Sequence, residues 1–120
     1  MNMTSQSWLT EADVDKSVWW HWVALVVPAN LSPEFASRGL MYITGGNNNL
    51  SPPKLVSEDL IVAAVLAQTC QTVVTVLFQI PNSPIHFWAQ PGAPGHSEDG
   101  IIAYGWRQFL NNPTRPEWSA

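Results

Sequence analysis

The apolar residues of the chain are grouped in short runs, and each run ends at proline or glycine. The run at 19–27 is aromatic and β-branched and is closed by a proline, so it predicts a strand that is apolar on both faces in its second half. A shorter run at 40–44 stops at a glycine pair and predicts a second strand. Residues 71–80 end at a proline and predict a third strand.

Two helices are predicted, each starting at a serine that is followed by two acidic residues. Ser57 and Ser97 are the predicted N-caps, and the acidic residues lie in the first turn, where the helix dipole favours anions. Residues 60–67 are apolar all round, which is typical of a helix that is buried on most sides. The second helix has one apolar face, formed by Ile102, Trp106, Phe109 and Leu110.

The order strand, strand, helix, strand, helix predicts the α/β class. Strands that alternate with helices and are apolar on both faces favour a parallel sheet, here of about three strands with two covering helices. Because sheets usually have about five or six strands, this one is predicted to be partial. The expected organisation is an N-terminal extension at 1–18, the partial domain at 19–112 and a C-terminal tail at 113–120.

The composition adds that part of the surface is expected to be covered. Charged residues make up 12% of the 120 residues, about half of the usual ~25%. A surface so poor in charge favours cover by more chain or by a protein partner. An open sheet also leaves unpaired edges, so self-association is expected if the chain is expressed alone.

The charge pattern argues against two kinds of partner. The net charge is −4 and the five basic residues are scattered singly, so there is no basic stripe for nucleic acid or for an anionic membrane surface. Polar residues interrupt the apolar stretch 60–78, which therefore predicts two elements that meet at a turn and no membrane span.

The sequence offers few candidates for metal or acid–base chemistry. Cys70 is the only cysteine, which excludes an internal disulfide, and its place between apolar runs predicts a buried structural thiol. His21 lies inside a strand and is predicted to be a hydrogen-bonded core histidine, whereas His86 and His96 favour surface or capping roles. No spacing typical of a metal site occurs, and no cofactor is predicted.

A glycine pair followed by asparagines is the most suggestive local feature. Gly45, Gly46 and Asn47 leave the end of a predicted strand, where backbone N–H groups are able to turn toward an oxyanion. In α/β-hydrolases the loop after the third strand supplies one such N–H group. From the residues alone, a tight turn that requires a positive φ is the favoured alternative. No G-x-S-x-G nucleophile motif is present, so no catalytic residue is predicted.

Sequons for N-glycosylation occur at Asn2, Asn30 and Asn49, and the last two are the candidate glycosylation sites. They point toward secretion, yet the N-terminus has neither the basic start nor the apolar stretch of a secretory signal, so the localisation stays unassigned. The seven tryptophans predict core packing, with a stacking or sugar-binding surface as the alternative.

Several segments together resemble one family. They are Ser-Trp-Leu-Thr at 7–10, Trp-Trp-His-Trp at 19–22, Ile-Thr-Gly-Gly-Asn-Asn at 43–48, Gln-Ile-Pro-Asn-Ser-Pro-Ile at 79–85 and Ser-Glu-Asp-Gly-Ile-Ile-Ala-Tyr-Gly-Trp at 97–106. Each segment alone is weak, but the ordered set covers most of the chain. It resembles the PhoPQ-activated pathogenicity-related family, which includes a secreted autocrine repressor of proliferation.

The resemblance implies a fragment of an α/β-hydrolase-like fold of several hundred residues. The nucleophile serine of the family, its acid and its histidine would all fall beyond Ala120, so none is carried over. Three hypotheses follow. The chain is a truncated or short form without activity of its own, or a secreted signalling or interaction protein. In the third, it is part of a full-length serine-type hydrolase in which Gly45, Gly46 and Asn47 lie near the oxyanion site.

Overall fold

The computed structural model of the chain describes residues 1–48 and 51–119. A four-stranded mixed sheet with two α-helices forms the fold. The elements are β1 (Asn2–Ser7), β2 (Val18–Val26), β3 (Gly39–Ile43), α1 (Glu58–Cys70), β4 (Val73–Leu77) and α2 (Glu98–Asn111), with 3₁₀ turns at Pro33–Phe35 and Pro116–Ser119. The α/β class is therefore confirmed, and the three predicted strands are present.

The sheet is mixed rather than parallel, and it has four strands rather than about three. The strand order is β1-β2-β4-β3; β1 and β4 run antiparallel to β2, and only β3 and β4 are parallel. A parallel pair needs a crossover connection, usually a helix. Among the described residues, the connection between β3 and β4 contains an α-helix, whereas the connection between β2 and β3 is a loop with one 3₁₀ turn. The parallel pair is therefore the pair whose connection contains a crossover helix.

β2 is shared between two partners along its length. Its first half pairs with β1, from Asn2↔Trp22 to Ser7↔Val18, and its second half pairs with β4, from Val23↔Leu77 to Val26↔Val74. Beyond β4 the chain continues beside β2, since Phe78 N–H donates to the carbonyl of Trp22 over 3.0 Å. β2 thus joins the two ends of the molecule.

α1 packs on one face of the sheet, and its small residues allow close approach. Ala63 and Ala67 are fully buried against the sheet, and the α1 cluster is Ala63, Ala67, Val74, Val76 and Phe78. The outward side of the helix remains apolar and exposed at Ile61, Val62 and Val65. The predicted burial of α1 on most sides is therefore not reached within this chain.

α2 packs mainly on loops and on the 3₁₀ turn Pro116–Ser119 rather than on the sheet. It contributes Ile101 and Tyr104 to the aromatic cluster, which comprises Trp8, Val14, Ile85, Phe87, Ile101, Tyr104 and Trp118. Phe87 and Tyr104 stack with ring centroids 4.1 Å apart, and Trp8 meets both Phe87 and Trp118 edge to face. Two helices were predicted to cover the sheet, but only α1 does so; α2 does not.

Among the described residues, one face of the sheet is mostly uncovered. Ala24, Val26, Tyr42, Val74 and Val76 pack toward α1, so the alternate residues of the same strands point to the opposite face. The cross-strand rows on that side are Leu25–Thr75–Met41 and Val23–Leu77–Ile43. Leu25, Met41 and Ile43 are 61%, 64% and 56% exposed. We refer to Leu25, Met41, Ile43, Thr75 and Leu77 as the open face.

The molecule is elongated, with the two clusters placed along its length. Its extents are 52 × 28 × 20 Å and its radius of gyration is 17.6 Å, whereas a compact domain of this length has about 14 Å. Among the described residues no helix is long and apolar enough to cross a bilayer. The elongated shape leaves many large apolar side chains exposed.

An ion pair ties the 3₁₀ turn near the C-terminus to the loop between β1 and β2. Both guanidinium Nη atoms of Arg115 lie 3.0 Å from the carboxylate oxygens of Asp13, which also accepts hydrogen bonds from Thr10. The Arg115 guanidinium lowers the pKa of Asp13 to about 2, from an ordinary 3.8. Asp13 therefore binds its proton more weakly in the folded chain than in the unfolded chain.

This shift gives a pH-dependent contribution to stability. Because the folded pKa of Asp13 is depressed, the contribution is fully present above about pH 4 and is lost as the pH falls toward 2. Asp13→Asn is expected to lower the free energy of unfolding by about 1 kcal/mol at pH 7 and to have no effect near pH 2. Urea unfolding at both pH values measures it, with Glu34→Gln, an exposed carboxylate, as the control. An equal loss at both pH values would show that the charge of Asp13 is irrelevant.

Candidate functional site

The glycine loop, defined as Gly45, Gly46 and Asn47, follows β3 at the carboxyl end of the parallel pair. It runs beside the segment after β4: Thr44 N–H donates to Leu77, Gln79 N–H donates to Gly45 and Ile80 N–H donates to Thr44, over 2.9–3.2 Å. Ligands of α/β folds bind outside the carboxyl ends of parallel strands. The loop therefore lies where the topology of such folds places a ligand.

Gly46 has a φ of +118°, a conformation that is open only to glycine at low cost. The requirement for a positive φ in the turn, which the sequence indicated, is thus met. The backbone N–H groups of Gly45 and Gly46 donate to no acceptor among the described residues. A Cβ at Gly45 would lie 3.0 Å from Oε1 of Glu98. A carboxylate so close disfavours a second anion at Gly45, which makes Gly46 the better donor.

Gln79 holds the glycine loop in place, and the sequence did not single it out. Its Nε2 donates to the carbonyl of Asn47 over 2.8 Å, and its Oε1 accepts from Trp22 N–H over 3.0 Å. Its own φ is +65°, a strained value for a residue with a side chain. The only signal for it was a polar residue at the end of an apolar run, directly before Ile80 and Pro81.

His21 is a core histidine, as predicted. It is 1% exposed, and its Nδ1 lies 3.0 and 3.1 Å from the carbonyl oxygens of Phe78 and Gln79. Since carbonyls only accept, Nδ1 carries the proton, and Nε2 accepts from Ser5 Oγ over 2.8 Å. The contact resembles a nucleophile–base pair, but no carboxylate of the described residues orients the imidazole.

The glycine loop is too far from Ser5 to act as an oxyanion donor for a reaction at that serine. Ser5 lies on the β1 side of β2, whereas Gln79 and then Gly45 lie on the opposite side. Three strand spacings of about 4.8 Å separate them, roughly 14 Å in all. An oxyanion donor has to lie about 3 Å from the oxygen that it stabilises. Ser5, His21 and the loop therefore do not form one catalytic site.

The remaining titratable candidates are dispersed. His86 Nδ1 lies 3.1 Å from Asp15, and His96 Nε2 lies 2.8 Å from the amide oxygen of Gln90. Among the described residues no group of three histidine, cysteine or acidic side chains could hold a metal ion. Glu98 and Asp99 occupy the first turn of α2.

Cys70 and the sequons complete the candidates. Cys70 is exposed, so the predicted buried thiol was wrong; it is the last residue of α1, directly before the left-handed C-cap Gln71. Asn30 lies exposed in the loop after β2, and Asn2 begins the exposed strand β1. Asn49 lies outside the described residues.

The sequence of the chain matches a family model and a curated protein. Residues 1–120 match the model of the family described as PhoPQ-activated pathogenicity-related protein. The chain is 34% identical over 121 residues to autocrine proliferation repressor protein A of Dictyostelium discoideum, and the match covers 100% of this chain and 23% of the relative. The chain thus spans less than a quarter of the length of this curated relative. No solved structure matches the chain significantly.

Proposed function

The chain belongs to the PhoPQ-activated pathogenicity-related protein family, and from that premise we propose that it forms the N-terminal part of an α/β-hydrolase-like domain and has no catalytic activity by itself. In this proposal the glycine loop contributes an oxyanion-binding N–H group. The nucleophile, the acid and the catalytic histidine come from other parts of a longer polypeptide.

The glycine loop is the observation that carries the proposal. It leaves β3 at the carboxyl end of the parallel pair, and the N–H groups of Gly45 and Gly46 have no acceptor among the described residues. Gly46 is exposed and Gly45 is half-buried, so these N–H groups are accessible to a bound oxyanion. The β3–α1–β4 unit supplies the strand, the crossover helix and the loop position that an α/β-hydrolase requires.

The apolar surfaces support the claim that this chain is one part of a larger folded unit. The open face of the sheet exposes Leu25, Met41 and Ile43, while α1 exposes Ile61 and Val65 on its outer side. Parallel α/β sheets carry helices on both faces. A second layer on the open face and further strands or helices beyond α1 would bury these side chains.

The absence of hydrolysis by the isolated chain is directly testable. No serine of the chain is flanked by the glycines of a nucleophile elbow, and the Ser5–His21 contact lacks both a carboxylate and an oxyanion donor. The purified chain is expected to hydrolyse p-nitrophenyl acetate no faster than heat-denatured chain does. Turnover that is reproducible and is lost in Ser5→Ala would refute the proposal.

The role of the glycine loop is testable in an active longer protein that carries these residues. Gly46→Val is expected to lower kcat about 100-fold, because a β-branched residue cannot hold a φ of +118° and the N–H group turns away. Gly92→Val is the matched control, since Gly92 also has a positive φ, +80°, with nothing within 4 Å of an added Cβ. Equal kcat in both variants would remove the loop from the mechanism.

A second candidate function is that of a secreted signalling or interaction protein; the name of the Dictyostelium relative states an autocrine repression of proliferation. The outer side of α2 favours it, because Ile102, Trp106 and Leu110 form an exposed apolar stripe that fits a protein partner. Expression in a eukaryotic host tests it: the medium would contain the chain with a glycan that Asn30→Gln reduces. A product that is found only in the cytosol and without glycan would exclude this candidate.

A further inference from the structure

A groove of about 600 Å³ lies beside the start of β2. Its walls come from the segment that precedes β2, from Asn48 after β3 and from Asn82 and Trp88 after β4. It therefore opens near the carboxyl end of the parallel pair, and its volume is typical of small-molecule sites, which span about 300–1,000 Å³. Its lining includes neither the glycine loop nor Ser5 and His21.

Two indole rings line the groove together with Val14 and Val18. Trp88 is 54% exposed, yet two hydrogen bonds of 3.0 Å hold the residue in place. Its indole Nε1 donates to the carbonyl of Glu11, and its backbone N–H donates to the carbonyl of Asp13. Trp20 lines the groove half-buried and meets Trp22 edge to face, with ring centroids 5.7 Å apart. An indole that is fixed yet exposed offers a flat surface for stacking.

The polar part combines groups of both charges that hold one another in place. Lys16 Nζ lies 3.3 Å from Asn48 Oδ1 and 3.6 Å from Asp15. Asp15 in turn accepts from His86 N–H over 2.8 Å and contacts the His86 imidazole. Burial by itself raises the pKa of Asp15, but the hydrogen bonds from His86 outweigh it and leave this pKa below its ordinary value. The carboxylate is therefore an ionised acceptor at neutral pH.

Asn82 has an unused acceptor beside the groove. The residue is fully buried, and its Nδ2 donates to the carbonyl of Trp20 over 2.7 Å, which fixes the orientation of the amide. Its Oδ1 accepts no hydrogen bond among the described residues. Such atoms are rare in native proteins and call for an explanation such as an enclosed water molecule.

We propose that this groove binds a neutral carbohydrate, with a sugar ring stacked on Trp88 and its hydroxyl groups bonded to Asp15, Lys16 and Asn48. Asp15 and Glu11 would repel an anion, while Lys16 would repel a cation. The polar floor disfavours an entirely apolar ligand. A sugar combines one C–H face for an indole with hydroxyl groups that both donate and accept, which matches carboxylate, ammonium and amide partners.

Saturation-transfer difference NMR on the full 120-residue chain tests the proposal. The probes are glucose, galactose, mannose, N-acetylglucosamine and the disaccharides maltose, cellobiose and lactose. At least one sugar is expected to receive saturation from the protein, and Trp88→Ala is expected to weaken its binding about tenfold. Trp106→Ala is the matched control, because Trp106 is similarly exposed, 62%, but lies on α2 away from the groove.

Two further variants keep the test independent of folding. Trp88→Phe retains a ring and is expected to retain binding, whereas Lys16→Gln removes the ammonium group at a partly exposed position and is expected to weaken it severalfold. Far-UV circular dichroism checks that each variant is folded. The proposal is overturned if no sugar of the panel binds, or if binding is the same in Trp88→Ala, Lys16→Gln and the unmodified chain.

Discussion

The unmodified chain is expected to self-associate, and replacing Leu25, Met41 and Ile43 together by threonine is expected to make it a monomer. All three side chains are more than half exposed on the open face of the sheet. Threonine is β-branched and favoured in strands, so the sheet itself is expected to form. The variant therefore removes apolar surface without removing the strands.

The size of this effect follows from the apolar area. Full burial of an aliphatic side chain contributes about 1.5–3 kcal/mol, so three of them contribute several kcal/mol to association. Each 1.4 kcal/mol corresponds to about a tenfold change in the dissociation constant, and a change of at least 100-fold is expected. Light scattering after size-exclusion chromatography measures the mass over a range of concentrations.

The matched control lies outside the sheet. Leu55→Thr with Val56→Thr removes two apolar side chains that are even more exposed but precede α1 and do not belong to the open face. This double variant is expected to associate like the unmodified chain. An unmodified chain that is monomeric at tens of micromolar, or a triple variant with unchanged association, would show that the open face is not the contact surface.

Gly105→Val is expected to destabilise the chain by about 3 kcal/mol, which corresponds to a melting temperature lower by roughly 10–15 °C. A Cβ at Gly105 would lie 2.8 Å from the carbonyl oxygen of Trp118 and 3.8 Å from the ring of Trp8. The 3₁₀ turn would have to move away, and the bond from Trp8 Nε1 to the carbonyl of Glu117 would break. The gain in helix propensity over glycine is only a few tenths of a kcal/mol.

Ala103→Val on the same helix is the control for this substitution. Ala103 points to solvent, so the same β-branched residue costs only about 0.5 kcal/mol there. Thermal unfolding followed by the near-ultraviolet signal of the tryptophans compares the two variants. Equal melting temperatures would mean that α2 does not pack against Pro116–Ser119 as the structure has it.

Much of the fold was predictable because the apolar runs are bounded by proline and glycine. β4 lies within its predicted strand, β2 and β3 each begin one residue before theirs, and both helices begin directly after Ser57 and Ser97. β1 was missed because Asn2–Ser7 is polar except for Met3 and is exposed along its whole length, so its place depends on backbone hydrogen bonds to β2 rather than on side chains. The pattern of apolar residues does not predict such an edge strand.

The direction of the strands was less predictable than their existence. A strand with apolar residues on both faces has the same sequence pattern whether it pairs parallel or antiparallel. The sequence therefore did not show that β2 pairs antiparallel with β4. Side-chain roles that depend on distant backbone were also hidden. Gln79 bonds to Trp22 and Asn47, and Asn82 bonds to Trp20, over sequence separations that no local motif encodes. The glycine loop, whose signal is local, was found.

Oxidation of methionine by hydrogen peroxide, followed by mass spectrometry, tests most directly whether the sheet has an uncovered apolar face. Met41 lies on that face and is 64% exposed, whereas Met3 on β1 is 38% exposed. In dilute solution Met41 is expected to oxidise faster than Met3, and at high concentration association is expected to protect Met41 alone. If Met41 in the dilute monomer oxidises more slowly than Met3, the chain covers this face by itself, and it does not need further polypeptide there.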